Sequence, residues 1–387
     1  MSSKAEKLKI PAPVWITDAE SLQRYCADWQ QEAYVSVDTE FVRTSTFYPK
    51  AGLIQVADKN QCYLIDPLKI KDWQPFADFL TNPLVIKVFH ACAEDLEVCQ
   101  HLAGVIPTPV ADTQVGAALG GVGGVMGFQR LVKAVLNIEL DKGETRSDWL
   151  KRPLSDNQIR YAVADVYYLQ KLYPKLVTRL KAMDRLTWWH EDCHRFIAQA
   201  SSPDSFSSYY RRIKLAWKLR PQEQYLLQQL TEWRESEARR RDLPRGQVIA
   251  DNVLWNMARY KPADDQGLAK AGVKNPLRRQ VAETLLEIIT SGLKVDNEEW
   301  PTQLAKPLSP AAGEWHKQLK KVVAEKAEVL EIPADMLVKK KTLEALLRSG
   351  YPRGPYELPE PLTGWRKKEI ADYLLAILQE KSRPVSV

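Results

Sequence analysis

Three short apolar, β-branched runs at 33–37, 53–57 and 62–65 follow one another with only turn-prone residues between them. Segments this short and this closely spaced form strands rather than helices, and consecutive strands imply a hairpin-built sheet. A fourth run at 84–89 is followed at once by a helical pattern over 93–102, so strand and helix then alternate. The expected domain is α/β with a mixed sheet.

A long helix is expected over 155–181. Ser155 can cap its first turn while Gln158, three residues on, completes a capping box. A second helix reaches about 199, and the serine-rich stretch beyond it is too polar for a core element. The first domain is therefore placed at 1–200.

The remainder reads as helical and carries a weak repeat at an offset of 89 residues: Leu230 matches Leu319, Ala238 Ala327, Pro244 Pro333, Leu254 Leu343 and Arg259 Arg348. Two small all-α domains follow, at 210–295 and 312–382, joined by the proline-rich stretch 301–310. Residues 1–200 hold 23 Lys and Arg against 24 Asp and Glu, whereas 201–387 hold 32 against 25. That asymmetry points to polyanion binding by the second half. Arg239-Arg240-Arg241 and Lys339-Lys340-Lys341 are its candidate phosphate contacts.

The five cysteines form no CxxC pair, so neither a disulfide framework nor a zinc site is indicated. His190 and His194 are four apart but lack a glutamate motif, and they read as one face of an ordinary helix. No apolar run approaches the roughly 18 residues that span a bilayer, and the N-terminus lacks a signal-peptide core. A cytoplasmic protein with no membrane association and no obligate protein partner is expected.

Carboxylates at element ends carry the chemistry. Asp38 and Glu40 are alternate residues at the end of the first strand, so both project to one face. On the helix after the fourth strand Asp95 shares a stripe with Cys92, Cys99 and Leu102 and points inward, where an unpaired charge is costly and a cation would offset it. Tyr161 and Asp165 are one turn apart on the long helix. Four carboxylates match the demand of two hard divalent cations, and a phenol beside them can orient a water.

These residues resemble the motifs of the DEDD exonuclease superfamily in its tyrosine branch, and within it the ribonuclease D family. The first motif is matched by Val37-Asp38-Thr39-Glu40-Phe41-Val42-Arg43, the second by His90 to Leu96, the third by Tyr161-Ala162-Val163-Ala164-Asp165-Val166. Gly52-Leu53-Ile54-Gln55, Asp112-Thr113-Gln114 and residues 147–154 extend the match. The helical repeats resemble the HRDC domain that ribonuclease D shares with certain DNA helicases, the first copy more closely than the second.

The resemblance implies a ribonuclease H-like exonuclease fold followed by two HRDC-like domains. Asp38, Glu40, Asp95 and Asp165 would bind two Mg²⁺ or Mn²⁺ ions, with Tyr161 placing the nucleophilic water. Thr39, Phe41 and His90 would flank the terminal nucleotide, and Lys142 would meet a phosphate. The implied activity is 3′-to-5′ hydrolysis of RNA to nucleoside 5′-monophosphates, with single-stranded 3′ ends and precursor tRNA as substrates. The alternatives are a DNA exonuclease with the same metal chemistry and a catalytically idle nucleic-acid binder, which the retained acids disfavour. Deleting 210–387 is expected to weaken RNA affinity more than turnover of bound ends.

Overall fold

The alternation of Val35, Val37 and their neighbours makes Tyr34–Val42 a nine-residue strand near the middle of a six-stranded sheet. The computed structural model describes residues 10–140, 143–144, 147–202 and 205–383. The strands are β1 (Val14–Ile16), β2 (Tyr34–Val42), β3 (Lys50–Ala57), β4 (Cys62–Ile65), β5 (Ile86–Phe89) and β6 (Val110–Asp112), in the order β1-β4-β3-β2-β5-β6. β3 and β4 pair antiparallel, Ile54 opposite Ile65. The pairs β1–β4, β2–β5 and β5–β6 are parallel, so the sheet is mixed, as expected.

Around it lie α1 (Ala19–Trp29), α2 (Gln74–Thr81), α3 (Ala93–Ala103), α4 (Thr113–Leu119), α5 (Phe128–Leu136), α6 (Asp156–Ala182) and α7 (Leu186–Ser201). Strand alternation sorts β3 onto two faces. Leu53 and Ala57 pack with Trp149, Ala162, Val163 and Val166 beneath α6, while Ile54 and Val56 pack with Trp29, Phe76 and Phe79 on the other side. Each fully buried side chain of this kind contributes roughly 1.5–3 kcal/mol. The capping box read from Ser155 and Gln158 is formed, and it starts the 27-residue α6.

Five helices, α8 (Pro221–Arg241), α9 (Arg245–Val248), α10 (Asp251–Tyr260), α11 (Asp265–Ala271) and α12 (Asn275–Gly292), make the first repeat. The second has α13 (Pro310–Val329), α14 (Ala334–Leu337), α15 (Lys340–Gly350) and α16 (Asp372–Lys381). Pro310, Ala334 and Lys340 open their helices 89 positions after Pro221, Arg245 and Asp251, so the repeat is structural as well as sequential. It fails at α11, whose counterpart is irregular.

The chain divides into two units, one of 1–42, 51–201 and 308–387, the other of 43–50 and 202–307. The second repeat thus belongs with the sheet instead of standing apart on a linker. One apolar core holds Val88, Leu169 and Leu176 from the sheet and α6 together with Leu319, Leu343 and Leu374. On α7, Trp188 stacks on Trp365 with centroids 4.3 Å apart and planes 5° from parallel. Arg366 forks onto Asp192, with Nη2 to Oδ2 at 2.8 Å, and also donates to the carbonyls of Leu337 and Met336.

In the other unit the buried Glu235 accepts from Arg239 and Arg245, each at 2.6 Å. Arg239 lies over the rings of Phe47 and Phe206, at 4.6 and 4.3 Å. Arg240 and Arg241 both pair with Glu237. Arg239 is therefore a partly buried cation held inside this unit, sharing the Glu235 carboxylate with Arg245 and lying on aromatic faces, which sets it apart from a freely presented phosphate contact. Lys339, Lys340 and Lys341 are exposed, as a phosphate-facing run must be.

Candidate active site

Two residues of β2, one of α3 and two of α6 supply the four predicted acids and the phenol, Asp38 and Glu40 lying in the C-terminal half of β2 near the middle of the sheet. Asp38, Glu40 and Asp165 each offer a carboxylate oxygen, and the three oxygens lie within 4.8 Å of one another. Asp38 and Glu40 share a strand face, as their spacing requires. Asp95, 7 % exposed, stands in the first turn of α3 and accepts a 2.6 Å hydrogen bond from the Thr39 hydroxyl between the two strand acids. Tyr161 lies one turn before Asp165 on the same helix.

Among the described residues no basic side chain pairs with Asp38, Glu40, Asp95 or Asp165. Their acidities record the strain of that arrangement. Burial, then the charges of Asp95, Asp165 and Glu40, holds the Asp38 carboxyl well above the ordinary range. Burial with Asp165 and Asp95 pushes Glu40 up to about 9. Burial raises Asp165 to about 8 and Asp95 to about 7, against the opposing hydrogen bonds from Tyr161 and Thr39. The Tyr161 phenol is pushed far up by burial, then by Asp165, Glu40 and Asp38, so it stays protonated. An all-oxygen set of crowded carboxylates with no counter-charge among the described residues fits a hard divalent cation, and Asp38, Glu40 and Asp165 could hold one; Asp95 lies outside that trio.

Several residues position this group. Asp112 accepts from the backbone N–H groups of Ala91, Cys92 and Gln114 at 3.0, 3.0 and 2.8 Å, which anchors the turn leading into α3. Gly143 lies against Tyr161; a Cβ there would sit 2.3 Å from the ring. The Trp149 ring also lies near Tyr161, with centroids 6.1 Å apart. Arg152 holds the 147–154 segment to the sheet by donating to Asp66, to Gly52 O at 2.6 Å and to Trp149 O at 2.8 Å. A Cβ at Gly52 would strike the Trp149 backbone oxygen at 2.6 Å. Asp112 and the 147–154 segment were marked only by the family resemblance, and the Gly143 contact carried no sequence signal.

The softer candidates differ among themselves. Thr39 is 6 % exposed and its hydroxyl is committed to Asp95. Phe41 follows Glu40 and is half-buried. His90 begins the loop after β5, with Nδ1 3.0 Å from Thr113 Oγ1, its ring 5.4 Å from that of Phe128, and Nε2 buried. Burial holds its pKa below the ordinary histidine value. Lys142 lies outside the described residues. No helix among those described is long and apolar enough to cross a membrane.

Residues 13–181 match the family model described as a 3′-5′ exonuclease, which gives the class of the sheet-bearing domain. Residues 223–289 match the HRDC domain model. Ribonuclease D of Pseudomonas paraeruginosa is 44 % identical over 370 residues, 95 % of this chain and 98 % of that one. The crystal structure of Escherichia coli RNase D, described as an exoribonuclease involved in structured RNA processing, superposes with a TM-score of 0.89 at 33 % identity, covering 96 % of this chain and all of that one. The catalytic core of RRP6 from Trypanosoma brucei shares the fold at 20 % identity and a TM-score of 0.55 over 74 % of this chain and 81 % of that one. The chain belongs to the ribonuclease D family, and it is a 3′-5′ exoribonuclease whose acidic cluster could hold a metal ion.

Proposed function

We propose that Asp38, Glu40, Asp95 and Asp165 hold two Mg²⁺ or Mn²⁺ ions and that Tyr161 orients the water that attacks the terminal phosphodiester. The observation that carries this reading is the trio of carboxylate oxygens within 4.8 Å, with no basic side chain paired to them among the described residues. Bound divalent cations supply Lewis-acid activation of the attacking water and stabilise the departing 3′-oxygen. Tyr161, its proton retained, donates a hydrogen bond that fixes a water and does not act as the base. Attack on the last linkage releases a nucleoside 5′-monophosphate and leaves a new 3′ end.

His90 and Phe41 flank the terminal nucleotide. Thr39 acts through Asp95, and Lys142 meets a phosphate. The domain limits are 1–200, 210–295 and 312–382, the last two being HRDC-like RNA-binding repeats. The physiological substrates are single-stranded 3′ ends of structured RNA, precursor tRNA among them, and the cell compartment is the cytoplasm. Single-stranded ends suit such a pocket because the last base enters it without unpairing.

The test uses matched 5′-labelled RNA and DNA strands with Mg²⁺, Mn²⁺ or chelator, beside an Asp38→Ala/Asp165→Ala control. A metal-dependent ladder shortening from the 3′ end of RNA, absent in the control, is expected. Shortening of DNA alone, or a control as active as the parent, contradicts the reading.

A further inference from the structure

A cavity of about 620 Å³ opens in the sheet-bearing unit at the end of β2 away from the acids. Tyr34 forms part of its wall, four residues before Asp38 and so roughly 13 Å from it by strand rise. Its volume lies in the range of small-molecule sites, roughly 300–1,000 Å³. Nothing in the proposed reaction uses it.

The lining is sorted by chemistry. Leu136 and Ile138, at the end of α5 and just beyond, supply an apolar wall. From α6, Tyr167, Lys171 and Lys175 recur every four residues and so form one stripe. Lys171 Nζ donates to the Tyr167 hydroxyl at 2.6 Å and lies 3.9 Å from that ring's centroid. Neither Lys171 nor Lys175 has a carboxylate partner among the described residues. The acid in the lining, Asp58, is already committed to Asn60 N at 2.7 Å, Gln61 N at 2.8 Å and the Tyr63 hydroxyl at 2.8 Å. The cavity therefore presents net positive charge.

Pro174 adds a polar recognition element. It lies inside α6 and has no N–H, so the carbonyl of Gln170 loses its intrahelical partner. The Gln170 carboxamide oxygen accepts from Ser36 at 2.7 Å, which leaves its N–H₂ as donor. Gln170 thus offers a donor beside the two ammonium groups.

We propose that this cavity is a second nucleotide site. It takes one nucleoside 5′-monophosphate unit, free or within an RNA strand, with its phosphate at Lys171 and Lys175 and its base against Leu136 and Ile138. The choice of a nucleotide over other anions rests on the exoribonuclease reading; the paired lysines do not.

The full chain in chelator is titrated calorimetrically with adenosine 5′-monophosphate as parent, Asp38→Ala/Asp165→Ala, Lys171→Glu/Lys175→Glu and Lys171→Gln/Lys175→Gln. Binding is expected to persist in the acid variant and to weaken at least tenfold on charge reversal and severalfold on neutralisation, with thermal melting confirming that the lysine variants fold. Displacement of the nucleotide by a 3′-blocked oligoribonucleotide assigns the occupant to the strand, and no displacement assigns it to the free nucleotide. Equal affinity in parent and charge-reversed protein, loss of binding in the acid variant, or equally tight binding of inorganic phosphate overturns the proposal. Loss of RNA trimming in the acid variant reports on the catalytic reading alone, so the two fail separately.

Discussion

The Thr39 hydroxyl donates to Asp95 Oδ1 at 2.6 Å, joining the middle residue of the Asp-Thr-Glu motif on β2 to the first turn of α3. Asp95 is thereby oriented by a residue lying between two of the acids it works with. Thr39→Val removes the donor while keeping the shape of the side chain. Loss of an outer partner of a metal ligand costs roughly 10–100-fold in affinity or activity. Activity titrated against Mn²⁺ should show its midpoint shifted upward by about that factor, with Thr39→Ser close to the parent. An unshifted midpoint in the valine variant would remove Thr39 from the metal site.

Proton linkage follows from the raised acidities. Burial, together with crowding by neighbouring acids at Glu40 and Asp95, pushes Glu40, Asp165 and Asp95 up to about 9, 8 and 7, whereas free carboxyls titrate near roughly 4. Between those limits the folded state holds protons the unfolded chain has released, so these groups make the folded state less stable as pH rises. Divalent cations replace the protons. The gap in Tm between Mn²⁺ and chelator should therefore widen from pH 5 to pH 7.5; a gap constant across that range contradicts the cluster as the metal site.

Gly143 packs so closely on Tyr161 that alanine would place a Cβ 2.3 Å from ring atom Cε2 and 3.0 Å from Cδ2. The ring must move, and displacement by about 1 Å costs on the order of 100-fold in rate. Gly143→Ala is expected to lower kcat on labelled RNA by roughly 10–100-fold with little change in Tm. Full kcat would mean that the contact yields without moving the phenol.

The fork between Arg366 and Asp192 is nearly enclosed, with side chains 12 % and 10 % exposed. Removing one partner of a buried pair leaves the other charge uncompensated, at about 3–5 kcal/mol. Arg366→Ala should lower the unfolding free energy of the full chain in urea by about 3 kcal/mol, and Arg366→Ala/Asp192→Ala by less than the sum of the single changes. A loss below about 0.5 kcal/mol, the ordinary range for a surface substitution, would show that the fork is not structural.

Local features were the legible ones. The capping box at Ser155 depends on residues three apart, and the apolar runs at 33–37, 53–57 and 62–65 declare the strands by β-branched composition, though two of the strands extend further, to 34–42 and 50–57. β1 and β6 have three residues each, too few to show a period, and both join the sheet through parallel partners distant in the chain. Asp38, Glu40 and Asp95 were readable because alternation and helical stripe decide which way a side chain points. Thr39 meeting Asp95, Gly143 meeting Tyr161 and Asp112 holding Ala91 and Cys92 are contacts between separate elements, which no spacing rule addresses. Arg239 misled for the same reason: its run of charge reads as solvated until Phe47, far away in sequence, covers it.

The core that α13 to α16 share with α6 and β5 also changes what can be removed from this chain. Ending it near 210 would uncover apolar surface on the catalytic domain, so the affinity lost by such a truncation would be confounded with unfolding. Synthesis faces the same problem in time. Leu378, which closes that core, is added roughly 180 residues after Ser201, an interval on the order of ten to thirty seconds at ~5–20 residues per second. Throughout that interval the nascent nuclease carries an unfinished face, and any holding factor that greets it on the ribosome would bind where α13 and α16 later pack.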